Sequence, residues 1–256
     1  MIQFKISEGV GIIHLNRPEK YHSFVREMAL NLQKVLSQCK NDEEIRSILI
    51  TATGKAFCAG QDLIEATQKE GPSLTEIVEE HYNPIIKQIR SIEKPVIAAV
   101  NGVAAGAGAS LALCCDIVIA CENASFIQAF SKIGLIPDSG ATFFLPRLIG
   151  MQKATGLMMT GEPISAMEAE KIGMIYKVFS NESFEQESLK LAKKLAEMAT
   201  KGLGLTKRLL NSSYSNNLGE QLNMERDYQT IAGNTVDYQE GVEAFLEKRK
   251  PEFKGK

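Results

Sequence analysis

Five short runs of β-branched and aliphatic residues punctuate the first 180 residues of the chain. They are Val10–Leu15 (VGIIHL), Ser47–Ala52 (SILITA), Val96–Val100 (VIAAV), 116–120 (DIVIA) and 174–179 (MIYKVF). Runs of this length and composition predict strands. Between them apolar residues recur three and four apart. Val25, Met28, Ala29, Leu32, Val35, Leu36 and Cys39 mark one helix face, with Ser23 as its expected N-cap. A second face runs from Leu74 to Ile92, and Pro84 should kink or break that helix. Ser165 and Glu168 predict a capping box that opens a short helix, and Gly173 is well placed to end it. Past Phe179 the strand pattern stops. Leu189, Ala192, Leu195, Ala196 and Ala199 keep helical spacing, and 203–214, 218–231 and 238–248 follow in kind. The pattern predicts an α/β protein with a strand-and-helix core over 1–180 and a helical region over 181–256.

Composition narrows the class of protein. The chain has 256 residues, 44% hydrophobic and 23% charged, which excludes a disordered tail and a small disulfide-stapled module. With 29 basic against 31 acidic residues it has no electrostatic footprint for nucleic acid. The five cysteines form no C-x-x-C pair, and no basic segment followed by an apolar one opens the chain, so reduced thiols and a cytoplasmic protein are expected. The uncharged stretch from Val96 to Cys115 even contains GxxxG spacing at Gly102 and Gly106. Its Ala and Gly content offers little large apolar surface, however, so a buried strand followed by a closely packed helix is the better reading than a membrane span.

Two glycine-rich turns follow predicted strands: 54–63 (GKAFCAGQDL) and 101–111 (NGVAAGAGASL). The second lacks the third glycine of a dinucleotide-binding fingerprint and the G-K-[ST] of a P-loop. Close helix–strand packing explains it structurally. A pair of backbone N–H donors for an enolate or tetrahedral oxygen is the functional alternative.

Taken together the motifs resemble the crotonase (enoyl-CoA hydratase/isomerase) superfamily. They are Asn16-Arg17-Pro18-Glu19-Lys20, Phe57-Cys58-Ala59-Gly60-Gln61-Asp62-Leu63, 94–102 (KPVIAAVNG) and Gly134-Leu135-Ile136-Pro137-Asp138-Ser139-Gly140, and the resemblance runs on to Glu247-Lys248-Arg249. It implies a spiral of ββα units with a helical C-terminal region that builds a trimer, often paired into a hexamer. It also implies an acyl-CoA thioester as substrate, with coenzyme A as part of that substrate and no separate cofactor or metal. The thioester carbonyl would be held by the N–H groups of Gln61 and Ala107, where the superfamily usually has glycine in place of Ala107. Ala59, Asp62 and Leu63 would line the adenine pocket, with Lys20 and Tyr21 approaching the nucleotide. For Lys20 a solvated surface charge is an equally good account, and for 59–63 an ordinary strand-to-helix turn is the structural one.

The resemblance also directs attention to carboxylates. Hydratases of the superfamily carry two glutamates, at positions that fall on Ser110 and Phe130 here, and neither residue is a base at neutral pH. Asp138 remains, where some isomerases of the superfamily carry a catalytic aspartate. One base is enough for a double-bond shift. Burial against Phe130, Ile133 and Leu135 is expected to raise its pKa. Pro-Asp-Ser-Gly is also ordinary turn chemistry, so a turn residue or helix N-cap is the structural alternative for Asp138.

Three segments, 104–109 (AAGAGA), 130–138 (FSKIGLIPD) and 225–229 (ERDYQ), look like the phenylacetate-pathway isomerases, which convert ring-1,2-epoxyphenylacetyl-CoA to an oxepin and also shift enoyl double bonds. The chain departs from their pattern at Ser139 and 141–144. The expectation is an acyl-CoA isomerase. The alternatives are a hydratase working with Asp138 alone, and a non-catalytic CoA-binding or RNA-binding relative. His14, His22 and His81 show no metal-ligand spacing, and Cys58, Asp116 and Glu122 read as structural.

Overall fold

Alternating polar and apolar residues build a hairpin at the start of the chain, in the computed structural model that describes residues 1–256. Strand β1 (Ile2–Ser7) pairs antiparallel with β2 (Val10–Leu15) across Glu8 and Gly9, both at positive φ. Helix α1 (Arg26–Asn41) leads to β3 (Ser47–Ala52) and the three-residue β4 (Ala56–Cys58). Helices α2 (Leu63–Thr67), α3 (Leu74–Glu76) and α4 (Asn83–Ser91) then return the chain to β5 (Val96–Val100), β6 (Val103–Ala105) and α5 (Ala107–Leu113). Strands β7 (Ile117–Cys121) and β8 (Ser125–Ile127) precede α6 (Ala141–Ile149) and α7 (Met151–Thr160). Strand β9 (Pro163–Ser165), α8 (Ala166–Lys171) and β10 (Lys177–Phe179) close the strand-bearing part.

Three times a long strand is followed at once by a short one. The long strands join a six-stranded sheet ordered β1-β2-β3-β5-β7-β10, parallel apart from β1. The short ones join a second sheet, β4-β6-β8-β9. Each turn of the chain thus lays one strand in each sheet, which is a spiral of ββα units. Between these layers lies a 44-residue apolar cluster that includes Phe24, Phe57, Tyr82 and Phe126.

After β10 all regular structure is helical: α9 (Phe184–Ala196), α10 (Thr200–Ser212), α11 (Leu218–Gly233) and α12 (Val236–Glu247). Helix α9 belongs physically to the core, since Phe184, Ala192 and Ala196 seal Val10, Ile12, Leu49 and Ile97 on the outer face of the large sheet. No residue of α11 is buried.

Several local expectations are corrected. Ser23 caps nothing. Helix α1 begins at Arg26, whose N–H is received by the Glu65 carboxylate at 3.0 and 3.2 Å, so a carboxylate from another helix serves as the cap. Ser165 accepts from the Glu168 N–H, but only that half of the expected box forms. Strand β10 covers 177–179 only, because the N–H groups of Met174 and Ile175 turn back to Ala169 at the end of α8. Pro84 sits in the first turn of α4, where the helix changes type rather than stopping. The preceding residues Ile77–Tyr82 take a wider π-helical turn, and Gln33 Nε2 donates to the carbonyls of Glu80 and His81. Glu80 C=O is the acceptor that a Pro84 N–H would have used, so the side chain of Gln33 satisfies what proline leaves open. The stretch from Val96 to Cys115 folds as strand, strand and seven-residue helix, and no helix is long and apolar enough to cross a membrane.

Candidate active site

The first glycine-rich turn is anchored through Phe24. Its N–H donates to Gly60 C=O at 2.7 Å and its C=O accepts from Asp62 N–H at 2.9 Å. A trans peptide is planar, so a Gly60 carbonyl aimed at Phe24 turns the Gln61 N–H the opposite way. That amide donates to no acceptor within the protein. Gly60 has φ +89°, and a Cβ there would lie 3.0 Å from Ala105 O and 3.3 Å from Ala107 N. Glycine is required on both counts.

Those distances also set the second turn against the first. Ala107 is the first residue of α5, so its N–H is among the donors that have no partner inside the helix. Gly108 packs so closely on the first turn that a Cβ would lie 2.3 Å from Cys58 O. Gly106 N–H donates to Ile127 O at 2.8 Å, which brings β8 and the residues after it alongside. Phe130, on the 3-10 turn Ala129–Ile133, is buried with its ring tip 3.9 Å from where a Gly106 Cβ would be. The amides of Gln61 and Ala107 therefore sit on adjoining backbones, beside Phe130.

Asp138 occupies the turn before α6. Ser139 and Gly140 take φ of +54° and +76°, a left-handed pair that is strained at a serine. Ser139 is buried, and its hydroxyl donates to Asp138 Oδ1 at 2.9 Å. Burial raises the Asp138 pKa above the ordinary carboxylate range, and the Ser139 hydrogen bond opposes this in part. The side chain caps no helix, since Ala141 N–H is taken by the Asp138 backbone carbonyl. Of the neighbours expected to cover it, Phe130 is itself buried, while Ile133 and Leu135 are exposed. The turn also packs on Phe144 and Ile86, the two side chains nearest a Cβ at Gly140.

The hydroxyl of Ser110 turns back onto Gly106 O at 3.2 Å, fully buried. Neither Ser110 nor Phe130 brings a titratable group to the two amides. The missing carboxylates of the two-base pattern are replaced by a helix-internal hydrogen bond and by a phenyl ring.

The first loop joins the same surface. Tyr21 C=O accepts from Ala59 N–H at 2.9 Å, and the Cys58 thiol reaches His22 O at 3.2 Å. Lys20 and the largely exposed Tyr21 and Leu63 therefore share a rim with Ala59. The Asp62 carboxylate is committed elsewhere. Oδ1 accepts from the N–H groups of Ile64 and Glu65 at the start of α2, and Oδ2 pairs with Arg17 at 2.7 Å. Burial would raise its pKa, but Arg17 and the two N–H groups bring it below the usual range. Cys58 is fully buried with its thiol pushed up to about 12, which makes it a packing residue. His22 accepts from Arg17 N–H on Nδ1 and donates from Nε2 to Thr53 O, and burial lowers its pKa, so it braces the loop as a neutral ring.

Sequence reasoning missed Gln128. It lies between β8 and Phe130, is 3% exposed, and neither its side-chain nitrogen nor its oxygen has a partner. An unpaired buried polar group costs about 1–3 kcal/mol, so this carboxamide is a group in want of a partner. No signal in the sequence separates it from an ordinary surface glutamine. A cavity of about 410 Å³ under α9, lined by His14, Thr51 and Asn101 among others, lies apart from Gln61, Ala107 and Asp138.

Known proteins share this architecture and sequence pattern. The pattern of the enoyl-CoA hydratase/isomerase family matches residues 5–256. The chain is 48% identical to the 1,2-epoxyphenylacetyl-CoA isomerase of Escherichia coli, over the whole of both proteins. It is 42% identical to a probable enoyl-CoA hydratase of Rhodobacter capsulatus, covering 100% of this chain and 98% of that one. Among solved structures, an enoyl-CoA hydratase/isomerase of Mycobacterium abscessus superposes with a TM-score of 0.95 at 36% identity, over the full length of both chains. The enoyl-CoA hydratase of Bacillus anthracis gives 0.92 at 33% identity, covering 100% of this chain and 99% of that one.

Proposed function

This chain belongs to the enoyl-CoA hydratase/isomerase family, and from that premise we propose that it is an acyl-CoA isomerase with Asp138 as its single acid and base. The thioester oxygen accepts from Gln61 N–H and Ala107 N–H. The Asp138 carboxylate removes a proton from the carbon beside the thioester, and the electron pair moves into an enolate whose oxygen rests on the two amides. The resulting carboxylic acid returns the proton to the far carbon of the allylic system, so a 3-enoyl thioester becomes a 2-enoyl thioester with nothing gained or lost. A half-buried base with a raised pKa suits this exchange, since its proton affinity lies nearer neutrality than that of a free carboxylate. Coenzyme A enters as part of the substrate, and the step as written uses no resident cofactor.

The observation that carries this reading is which of the family's base positions holds a carboxylate. Asp138 stands where the chain has one, while Ser110 and Phe130 offer none. The near-half identity with the E. coli isomerase supports a ring-1,2-epoxyphenylacetyl thioester as the natural substrate, opened to the oxepin. Exposed Leu218, Leu222, Phe245 and Leu246 on α11 and α12 support assembly with further copies of the chain, as a trimer or hexamer.

The test is to offer three thioesters side by side: 1,2-epoxyphenylacetyl-CoA, a 3-enoyl-CoA and a 2-enoyl-CoA. The first two should be isomerised, and the third hydrated at least about 100-fold more slowly for want of a second carboxylate. Predominant formation of 3-hydroxyacyl-CoA would overturn the proposal in favour of a hydratase, the activity that the R. capsulatus relative's name carries.

A further inference from the structure

We propose that Tyr82 and Glu65 are positioning residues for the Gln61 amide, gripping the Gln61 side chain at both ends. The proposal rests on the reading above, in which that amide holds the thioester oxygen. Gln61 Nε2 donates to Glu65 Oε2 at 3.0 Å, and Gln61 Oε1 accepts from the Tyr82 hydroxyl at 3.2 Å. A carboxylate only accepts, so the carboxamide has one orientation and cannot flip.

Both jaws are themselves fixed. Glu65 receives the Arg26 N–H at the start of α1. Tyr82 is 1% exposed, with its ring centroid 5.7 Å from that of Phe24. Burial pushes its phenol well above the usual range, so the hydroxyl remains a donor at every working pH. Phe24 is also the residue whose backbone orients the Gly60–Gln61 peptide. Main chain and side chain of Gln61 are thus tied to one aromatic pair. Tyr82 ends the π-helical segment Ile77–Tyr82, and single π turns of this kind are concentrated at functional sites.

A donor to a developing oxyanion must stay within about 2.7–3.1 Å of it, so a small rocking of the 61 peptide weakens catalysis before it weakens folding. A purely structural hydroxyl would lack that link. The experiment is a double-mutant cycle with Tyr82→Phe and Gln61→Ala in the full chain, assayed on the better substrate of the three-thioester comparison. Tyr82→Phe keeps the ring and should lower kcat about 10-fold while KM stays within about 3-fold. In the Gln61→Ala background the same change should cost nothing further. Glu65→Gln, which can still accept from Gln61, should retain more activity than Glu65→Ala.

A readout independent of turnover separates this proposal from the functional reading. A 2-enoyl thioester chromophore bound to Asp138→Asn should shift to longer wavelength as the amides polarise its carbonyl, and adding Tyr82→Phe should shrink that shift. Multiplying effects in the cycle, or an undiminished shift, would overturn the clamp alone. A bound thioester showing no shift in the Tyr82 parent would overturn the amide assignment, and the clamp with it.

Discussion

The two halves of the candidate site are built on opposite principles. The amide half is made of backbone and is over-determined. The Gly60 carbonyl is pinned by Phe24, Gly106 N–H is pinned by Ile127, and Gly108 lies hard against Cys58. The Asp138 half is one side chain on a left-handed turn, held by a single hydroxyl and flanked by exposed Ile136. The difference follows from what each must do. Neutral dipoles can be locked in place because they never move or change charge. A carboxylate that exchanges protons must be desolvated enough to hold one and open enough to reach the substrate, so it cannot be packed on every side. In this account the amide half fixes the thioester, and the carboxylate half chooses the reaction.

Breaking the amide half has the largest effect on the fold. Gly108→Ala should destabilise by 3 kcal/mol or more, at the upper end of the roughly 1–3 kcal/mol typical of overpacking. The new methyl would meet Cys58 O at 2.3 Å, a backbone atom that cannot yield. Urea unfolding measures this. Gly60→Ala is gentler on the fold, at about 1–2 kcal/mol for its positive φ, but should cost about 100-fold in kcat because the methyl presses on Ala107 N. Gln128→Leu should leave stability unchanged or improved, since it removes two unpaired polar atoms, while raising KM several-fold, on the order of 1 kcal/mol of binding. Equal KM in that variant would separate Gln128 from the ligand.

The smallest change sharpens the carboxylate half. The Asp138 pKa lies above the ordinary range, so kcat/KM should fall as the pH drops through it and the base becomes protonated. Ser139→Ala removes a hydrogen bond that favours the ionised form. The acid limb should therefore move to higher pH, with kcat on the alkaline side changed less than about 3-fold. A limb that stays put would remove the hydroxyl from the account.

Legibility in the sequence followed the same division. The inner strands could be read directly, because buried parallel strands are continuous apolar runs. Strand β1 could not, since its edge position lets Gln3 and Lys5 interrupt the pattern. The three-residue strands β4 and β6 were hidden inside what read as glycine-rich turns and β8 in a stretch given no element, and yet they carry both glycine turns into contact. The candidate residues of the proposed site came from motif resemblance, while their supports were not legible. Glu65 capping α1, Gln33 answering Pro84 and Tyr82 reaching Gln61 are all long-range pairings that no local spacing encodes.

The central claim is that one carboxylate moves the proton in both directions, and the Asp138→Asn variant tests it most directly when turnover and melting temperature are measured together. A half-buried aspartate with a raised pKa binds its proton more tightly folded than unfolded, so it favours the fold at acid pH and loses that contribution as pH rises through the folded value. At neutral pH the neutral amide should therefore melt no lower than the wild type, still bind acyl-CoA, and lose isomerase activity by about 1,000-fold or more, at the level of general acid–base catalysis. Retained turnover in a folded, ligand-binding Asp138→Asn protein would contradict the account.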